Sequence, residues 1–287
     1  MPWGRPGAAD LALVVVTCSL AFANARIFST AQIDDAYITF RYADNLARGL
    51  GPVYSAYERV EGSSSLLSVV VLAAFVRLGV EALTAARFVG TAAFVGLTAL
   101  TYFTVRFEAR CFPRILAAGA ALVVAASTPL AFYAMSGLET DLYAFVLTLT
   151  FALLVVLPFR SAVAVAVAGG LVAMARPEGP LFFGLLFAFL LLKVRRAGPM
   201  GLRDVLRAAG AFVVPLGALT LFRLGYYHSW IPNTVRAKDG SSARFHGMGV
   251  AEIWGSLAHS EGAAMIASYG RHLGVTAIVA IAGLCLR

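Results

Sequence analysis

Ser63-Ser64-Ser65-Leu66-Leu67-Ser68-Val69-Val70-Val71-Leu72-Ala73-Ala74-Phe75-Val76-Arg77 contains an apolar run, Leu66–Val76, with three serines before it and an arginine after it. A helix needs about 20 mainly apolar residues to cross a hydrocarbon core ~30 Å thick, whereas runs of about 10–14 suit an interfacial or re-entrant helix. Whether this short segment crosses decides which side of a membrane every later segment faces.

Longer apolar runs lie on both sides of it: Leu11–Phe28, Ala85–Val105, Ile115–Ala134, Leu142–Phe159, Ser161–Ala175, Pro180–Leu192 and Ala208–Leu224. A last run begins near Leu273 and stops at Leu286-Arg287. At about 14 residues it falls short of a span, which predicts an incomplete eighth crossing and a chain that is a truncated or short form of a longer protein. Basic residues mark cytoplasmic loops. The loop with Arg106, Arg110 and Arg114, and the loop from Lys193 to Arg207 with its five basic residues, are therefore placed inside, together with Arg5. The first crossing then puts 29–84 outside, and Ala85–Val105 alone returns the chain to the inside by Arg106. Leu66–Val76 is left in the outer interface. The same parity places 135–141, 176–179 and 225–271 outside, with only Asp10, Glu108 and Asp204 of the 15 acidic residues inside. A cleavable signal peptide is the competing reading of the N-terminus, with Arg5, Leu11–Phe22 and Ala23-Asn24-Ala25 as its parts. The apolar run is long for such a segment, and a retained span is the better reading.

The composition agrees. The chain is 60% hydrophobic and 13% charged, with a mean hydropathy of +0.82. Soluble domains carry roughly 45–50% apolar and ~25% charged residues, so a soluble fold, disorder and a disulfide scaffold are all excluded. The net charge of +8 belongs to the inner loops and forms no basic stripe with interleaved aromatics, so no nucleic-acid partner is expected. Cys18, Cys111 and Cys285 make no CxxC or Cys/His metal pattern. The predicted fold is a polytopic, all-α membrane protein in which residues 1–287 form a single domain.

Polar chemistry collects in four external clusters. Asp34-Asp35 opens a helical stretch, Ala36–Arg48, that Gly49-Leu50-Gly51 stops. One Asp would serve as a helix N-cap, but two adjacent carboxylates at the end of a span suit a base that takes a proton from an acceptor hydroxyl. Ser136-Gly137-Leu138-Glu139-Thr140-Asp141 follows the third crossing, where Glu139 and Asp141 either cap the next helix or act as active-site acids. Arg176-Pro177-Glu178-Gly179 lies between two apolar runs. An ionisable pair at membrane depth is a functional hypothesis by default, with a structural Arg–Glu pair as its rival. The last cluster, Gly225-Tyr226-Tyr227-His228-Ser229-Trp230-Ile231-Pro232-Asn233-Thr234-Val235-Arg236-Ala237-Lys238-Asp239, carries Arg236 and Lys238, and Arg223 lies just before it. Positive charge there runs against the sidedness bias and suits a phosphate. His228 is read as positional.

Together these segments resemble a known family. Asp34-Asp35-Ala36-Tyr37-Ile38-Thr39-Phe40-Arg41-Tyr42, Gly49-Leu50-Gly51-Pro52-Val53-Tyr54 and Glu58-Arg59-Val60-Glu61-Gly62 are similar to the first external loop of GT-C membrane glycosyltransferases. The nearest likeness is to mycobacterial terminal arabinofuranosyltransferases and their bacterial relatives. Ser136-Gly137-Leu138-Glu139, Arg176-Pro177-Glu178 and the Tyr226-Tyr227…Pro232…Ala237-Lys238 stretch match further motifs in the same order, over roughly residues 10–245. The resemblance implies a seven-span core with two interfacial helices in the first external loop, in the cytoplasmic membrane with its active site facing outward. It also implies transfer of a sugar from a polyprenyl-phosphate carrier to a cell-envelope glycan or lipid. Asp34 or Asp35 would be the base and Glu139 or Asp141 a second acid. Arg41, Glu61, Arg176, Glu178, Tyr227, Asn233, Arg236 and Lys238 would bind substrates. Metal use varies in the superfamily with mono- or diphosphate donors, so a divalent metal stays open as the cofactor. The relatives continue into further spans and an external domain that this chain does not show. A lipid-carrier flippase and a non-catalytic scaffold are the rival functions. The first would need polar residues at mid-membrane depth, and the runs above lack them.

Overall fold

The computed structural model describes residues 6–109, 111–156, 162–197, 202–229 and 233. Among them every regular element is helical: α1 (Ala8–Ile27), α2 (Asp35–Ala47), α3 (Leu66–Arg77), α4 (Ala82–Glu108), α5 (Pro113–Ala125), α6 (Thr128–Ser136), α7 (Thr140–Val156), α8 (Ala162–Ala175), α9 (Gly179–Ala197) and α10 (Leu202–Tyr227). The run near 273–286, the basic loop residue Arg110, and Arg236 and Lys238 lie outside the described residues.

Among the described residues three helices are long and apolar enough to cross a membrane: α1, α4 and the Ala209–Tyr227 part of α10. The expected crossing Ile115–Ala134 is broken. α5 and α6 meet at a bend of 52° and make a fourth candidate only when taken together. The cause is local. Pro129 cannot donate an amide to the preceding turn, so the helix stops at Ala125 and restarts at Thr128 with the proline in its first turn. The apolar stretches Leu66–Arg77 of α3, Thr140–Leu154 of α7, Val163–Ala175 of α8 and Gly179–Ala188 of α9 are shorter.

The two ends of the bundle differ in chemistry. At one end the start of α1, the end of α4 and the start of α5 are tied by Asp10, which is fully buried. Its Oδ1 accepts from Arg106 Nε at 2.8 Å, Tyr102 Oη at 3.0 Å and Arg114 Nε at 3.3 Å, and its Oδ2 accepts from the Gly7 amide at 2.9 Å. A buried carboxylate is tolerated when paired and hydrogen-bonded, and here it is both. At the other end Arg87, one turn into α4, donates to Ala31 O and Met135 O, so the end of α1, the start of α4 and the end of α6 meet there. Helices α1, α4 and α5–α6 thus alternate in direction, as the charge parity requires of them. In the seam between them α4 and α6 approach closely. A Cβ on Gly90 would sit 2.4 Å from Ala134 O, so only glycine fits.

α2 and α3 lie across this second end. Ala36, Phe40 and Ala43 of α2 pack on Leu72 and Ala73 of α3 and on Ala85 and Ala86 of α4. Ser65 caps α3, its side chain accepting from Ser68 N. Both ends of α3 are held here. Ser64, just before α3, bonds Glu139, and only four residues separate Arg77 from α4. Leu67 and Leu66 join α3 to the second half of the bundle, where Val146, Val172, Phe183 and Leu219 form the core.

This geometry gives a direct test. Tyr57, before α3, and Leu78, after it, are 96% and 80% exposed. Cysteines at Tyr57→Cys and Leu78→Cys should therefore react alike with an impermeant thiol reagent applied from outside. Reaction of Leu78→Cys only after permeabilisation would mean that α3 crosses, and the sidedness derived from the basic loops would be wrong.

Candidate functional site

Asp34 occupies the N-cap position of α2 and Asp35 its first residue. Both are exposed. The capping role predicted as an alternative is not taken up, for Asp34 makes no side-chain cap hydrogen bond. What positions this pair is the turn after α6. The Ile33 amide donates to Ser136 O at 3.3 Å, and Gly137, with φ +92°, brings its backbone against Ala36 and Phe40. A Cβ there would lie 3.1 Å from the Ala36 Cβ and 3.0 Å from the Phe40 ring. The left-handed backbone and the lack of space both demand glycine. The first and second polar clusters are therefore neighbours.

Two residues beyond Gly137, Glu139 is buried and engaged. Its Oε1 accepts from Ser64 Oγ at 2.9 Å and from Arg176 Nη1 at 3.3 Å. Arg176 Nε also donates to Glu178 Oε1, and its guanidinium lies 5.9 Å from the centre of the Tyr143 ring. The predicted Arg176–Glu178 pair thus exists, and it is part of a larger network holding one cation between two carboxylates. Glu139 is thus held by two side-chain partners, whereas Asp34 and Asp35 face solvent. Asp141 behaves differently. It is fully buried in the first turn of α7, and among the described residues neither oxygen has a hydrogen-bond partner. The two acids of this cluster therefore do not act as one unit.

A cleft opens beside Glu139. Ser68, Val71 and Leu72 of α3 wall one side, and Val89 and Gly90 of α4 the other. Glu139 is the charged residue lining it.

The third and fourth clusters close the same end. Arg223, near the end of α10, forms a buried bidentate pair with Glu61, with Nε–Oε2 at 2.9 Å and Nη2–Oε1 at 3.0 Å. Arg223, expected as an anomalous external charge, is thus neutralised inside the protein. The Asn233 amide donates to Glu61 O at 3.0 Å, and Tyr227 Oη donates to Pro52 O at 2.7 Å. Arg41 is exposed, with Nε donating to Tyr54 O at 3.3 Å. His228 is exposed at φ 54°, where it ends α10. Arg236 and Lys238 lie outside the described residues. Among the described residues no three His, Cys, Asp or Glu side chains converge as a metal-ligand set.

Sequence reading had overlooked Ser64. The triple serine stood out only as the flank of a short apolar run, and its partner is 75 positions away.

No family model matches the chain, and no solved structure matches it. Two curated proteins do. The terminal beta-(1->2)-arabinofuranosyltransferase of Mycobacterium tuberculosis (strain ATCC 25618 / H37Rv) is 31% identical over 230 residues, which are 74% of this chain and 35% of that protein. The terminal beta-(1->2)-arabinofuranosyltransferase of Corynebacterium glutamicum is 30% identical over 251 residues, 78% of this chain and 34% of that protein. The chain thus spans about a third of the length of the curated relatives it matches. The resemblance carried by the four polar clusters is shown at the level of the whole alignment: this chain is a relative of the terminal arabinofuranosyltransferases.

Proposed function

We propose that the chain is the catalytic membrane part of a glycosyltransferase that moves a pentofuranosyl group from a polyprenyl-phosphate carrier to a glycan or lipid acceptor on the outer face of the cytoplasmic membrane. The observation that carries this is the exposed Asp34-Asp35 pair set against the turn that leads into the Glu139–Arg176–Glu178 network, at one end of an apolar bundle. In this reading the acceptor hydroxyl oxygen attacks the anomeric carbon, and its proton passes to Asp34 or Asp35. The bond from that carbon to the phosphate oxygen breaks, and polyprenyl phosphate leaves. Positive charge develops on the sugar ring, and nearby carboxylates stabilise it. Glu139, fixed in place by Ser64 and Arg176, is suited to that electrostatic task, because a preorganised group in a water-poor site needs no reorganisation at the moment of reaction. Arg236 and Lys238 are the candidates for the carrier's phosphate.

Purified full chain in proteoliposomes should release polyprenyl phosphate from a farnesyl-phosphate-linked arabinofuranose in the presence of an oligosaccharide acceptor. No release in any lipid would overturn the reading. For the phosphate, Lys238→Ala should weaken binding of farnesyl phosphate. A lost hydrogen bond to a charged group is worth about 1.5–3 kcal/mol, or roughly ten- to hundredfold in affinity. Farnesol, which has no phosphate, should bind as before. Equal losses for both lipids would show that this segment shapes the lipid bed and does not read the phosphate.

A further inference from the structure

The face of α2 that points away from the bundle continues from the exposed carboxylate Asp34 toward the turn after the helix. Asp34, Tyr37, Ile38 and Arg41 recur at steps of three and four residues, so they lie in one row along the helix, and all four are exposed. At 1.5 Å per residue the row from Asp34 to Arg41 is about 10 Å long. It runs from the exposed carboxylates to the 54–57 segment, because Arg41 Nε bonds Tyr54 O at 3.3 Å.

That segment is held far more firmly than its exposure requires. Asn45, itself buried, donates from Nδ2 to Val53 O at 2.8 Å and to Tyr54 O at 3.0 Å. Tyr227 Oη holds Pro52 O. On its far flank the Tyr42 hydroxyl, whose pKa burial pushes up, donates to Val60 O and accepts from the Gly62 amide. The Glu58 amide returns to Ser55 O at 3.2 Å and closes a turn. The result is a rigid turn presenting Tyr54, 55% exposed, and Tyr57, 96% exposed.

We infer that the outer face of α2 and this pinned turn form the subsite for a saccharide acceptor chain, with its terminal hydroxyl at Asp34-Asp35 and its preceding sugar units laid over Tyr37, Arg41, Tyr54 and Tyr57. The inference rests on the glycosyltransferase reading and assigns the acceptor side of the same site. Sugar rings offer C–H faces that pack on aromatic rings and hydroxyls that bond Arg41, and a row of rings with one polar side chain between them suits both. Preorganisation lowers the cost of ordering a loop on binding, which gives the many backbone pins a purpose. Hydrocarbon is the wrong occupant. Asp34, Asp35, Arg41 and Arg48 are all exposed on this helix, and charge buried in lipid is costly.

The hydrogen-bonded pins use the carbonyls of residues 52, 53 and 54, which any side chain leaves in place, so Tyr54→Ala removes the ring and its contact with the Tyr42 ring, 6.1 Å between centres, while keeping those hydrogen bonds. Saturation-transfer NMR on the detergent-solubilised full chain, with a linear arabinofuranose tetrasaccharide as probe, should show transfer to the sugar protons. Tyr54→Ala should weaken binding about three- to tenfold, the range of one aromatic contact, and Tyr54→Phe should restore it. Binding of farnesyl phosphate should be the same in all three proteins. Absence of saturation transfer in the wild type, or equal affinity in wild type and Tyr54→Ala, overturns the subsite, even in a chain that releases polyprenyl phosphate from its donor. A parallel loss of saccharide and farnesyl phosphate binding, or poorer liposome insertion of Tyr54→Ala at unchanged saccharide affinity, also overturns it and makes the tyrosines structural or interfacial anchors. Failure of donor release in the wild type is the separate failure of the glycosyltransferase reading.

Discussion

At least one of Asp34→Asn and Asp35→Asn is expected to lower the initial rate of sugar transfer by ~10²-fold or more, the usual contribution of a general base. Both carboxylates are exposed, and Asp34 makes no cap hydrogen bond, so replacing either leaves the hydrogen bonds that hold α2 among the described residues in place. Asparagine also suits an N-cap position as well as aspartate does. The thermal midpoint and membrane insertion of both variants should therefore match the wild type, since surface substitutions of this kind usually stay within about 0.5 kcal/mol. The loss would then be one of chemistry alone. Near-normal transfer by both variants would reduce the pair to the start of a helix. Glu139 would be a poorer first target, because Glu139→Gln weakens the buried partnership with Arg176 and so changes the network as well as the chemistry.

Arg223→Ala is expected to destabilise the protein by about 3–5 kcal/mol, the cost of leaving one member of a buried ion pair without its partner. The stranded group would be Glu61, whose side chain is 6% exposed and which receives three contacts from the Arg223 guanidinium. Limited proteolysis should show the damage first in residues 51–62, because Arg223 and Tyr227 together tie that segment to α10. Unfolding measured in lipid or detergent would report the energy. The double variant Arg223→Met with Glu61→Leu should lose less than Arg223→Ala, because neither charge is then left buried, and apolar replacements of buried pairs are often neutral or stabilising. A loss below about 1 kcal/mol for Arg223→Ala would put the pair in the class of solvated surface bridges. The anchoring of the first external loop would then have to come from Tyr227 and from the Arg59 guanidinium, which lies 4.9 Å from the centre of the Tyr226 ring.

Hydropathy, charge parity and motif order were enough to determine much of this protein. Each depends on residues close together in the chain. A run of apolar residues forms a helix wherever it lies, and Gly49-Leu50-Gly51 ends α2 by backbone chemistry alone. The break between α5 and α6 was also legible, in Ser127-Thr128-Pro129, but an average over hydropathy is blind to a single missing amide proton. Only the tertiary structure decided the rest. Glu61 and Arg223 are 162 positions apart, Arg114 and Asp10 are 104, and Ser64 and Glu139 are 75. No periodicity connects such residues. They meet because helices that run back and forth return distant segments to the same end. A carboxylate carried into an apolar interior by that packing must find a cation or a donor there. Glu139 finds Ser64 and Arg176, whereas Asp141, two residues on, has no hydrogen-bond partner among the described residues. The sequence places both acids in one cluster, and packing alone separates their environments.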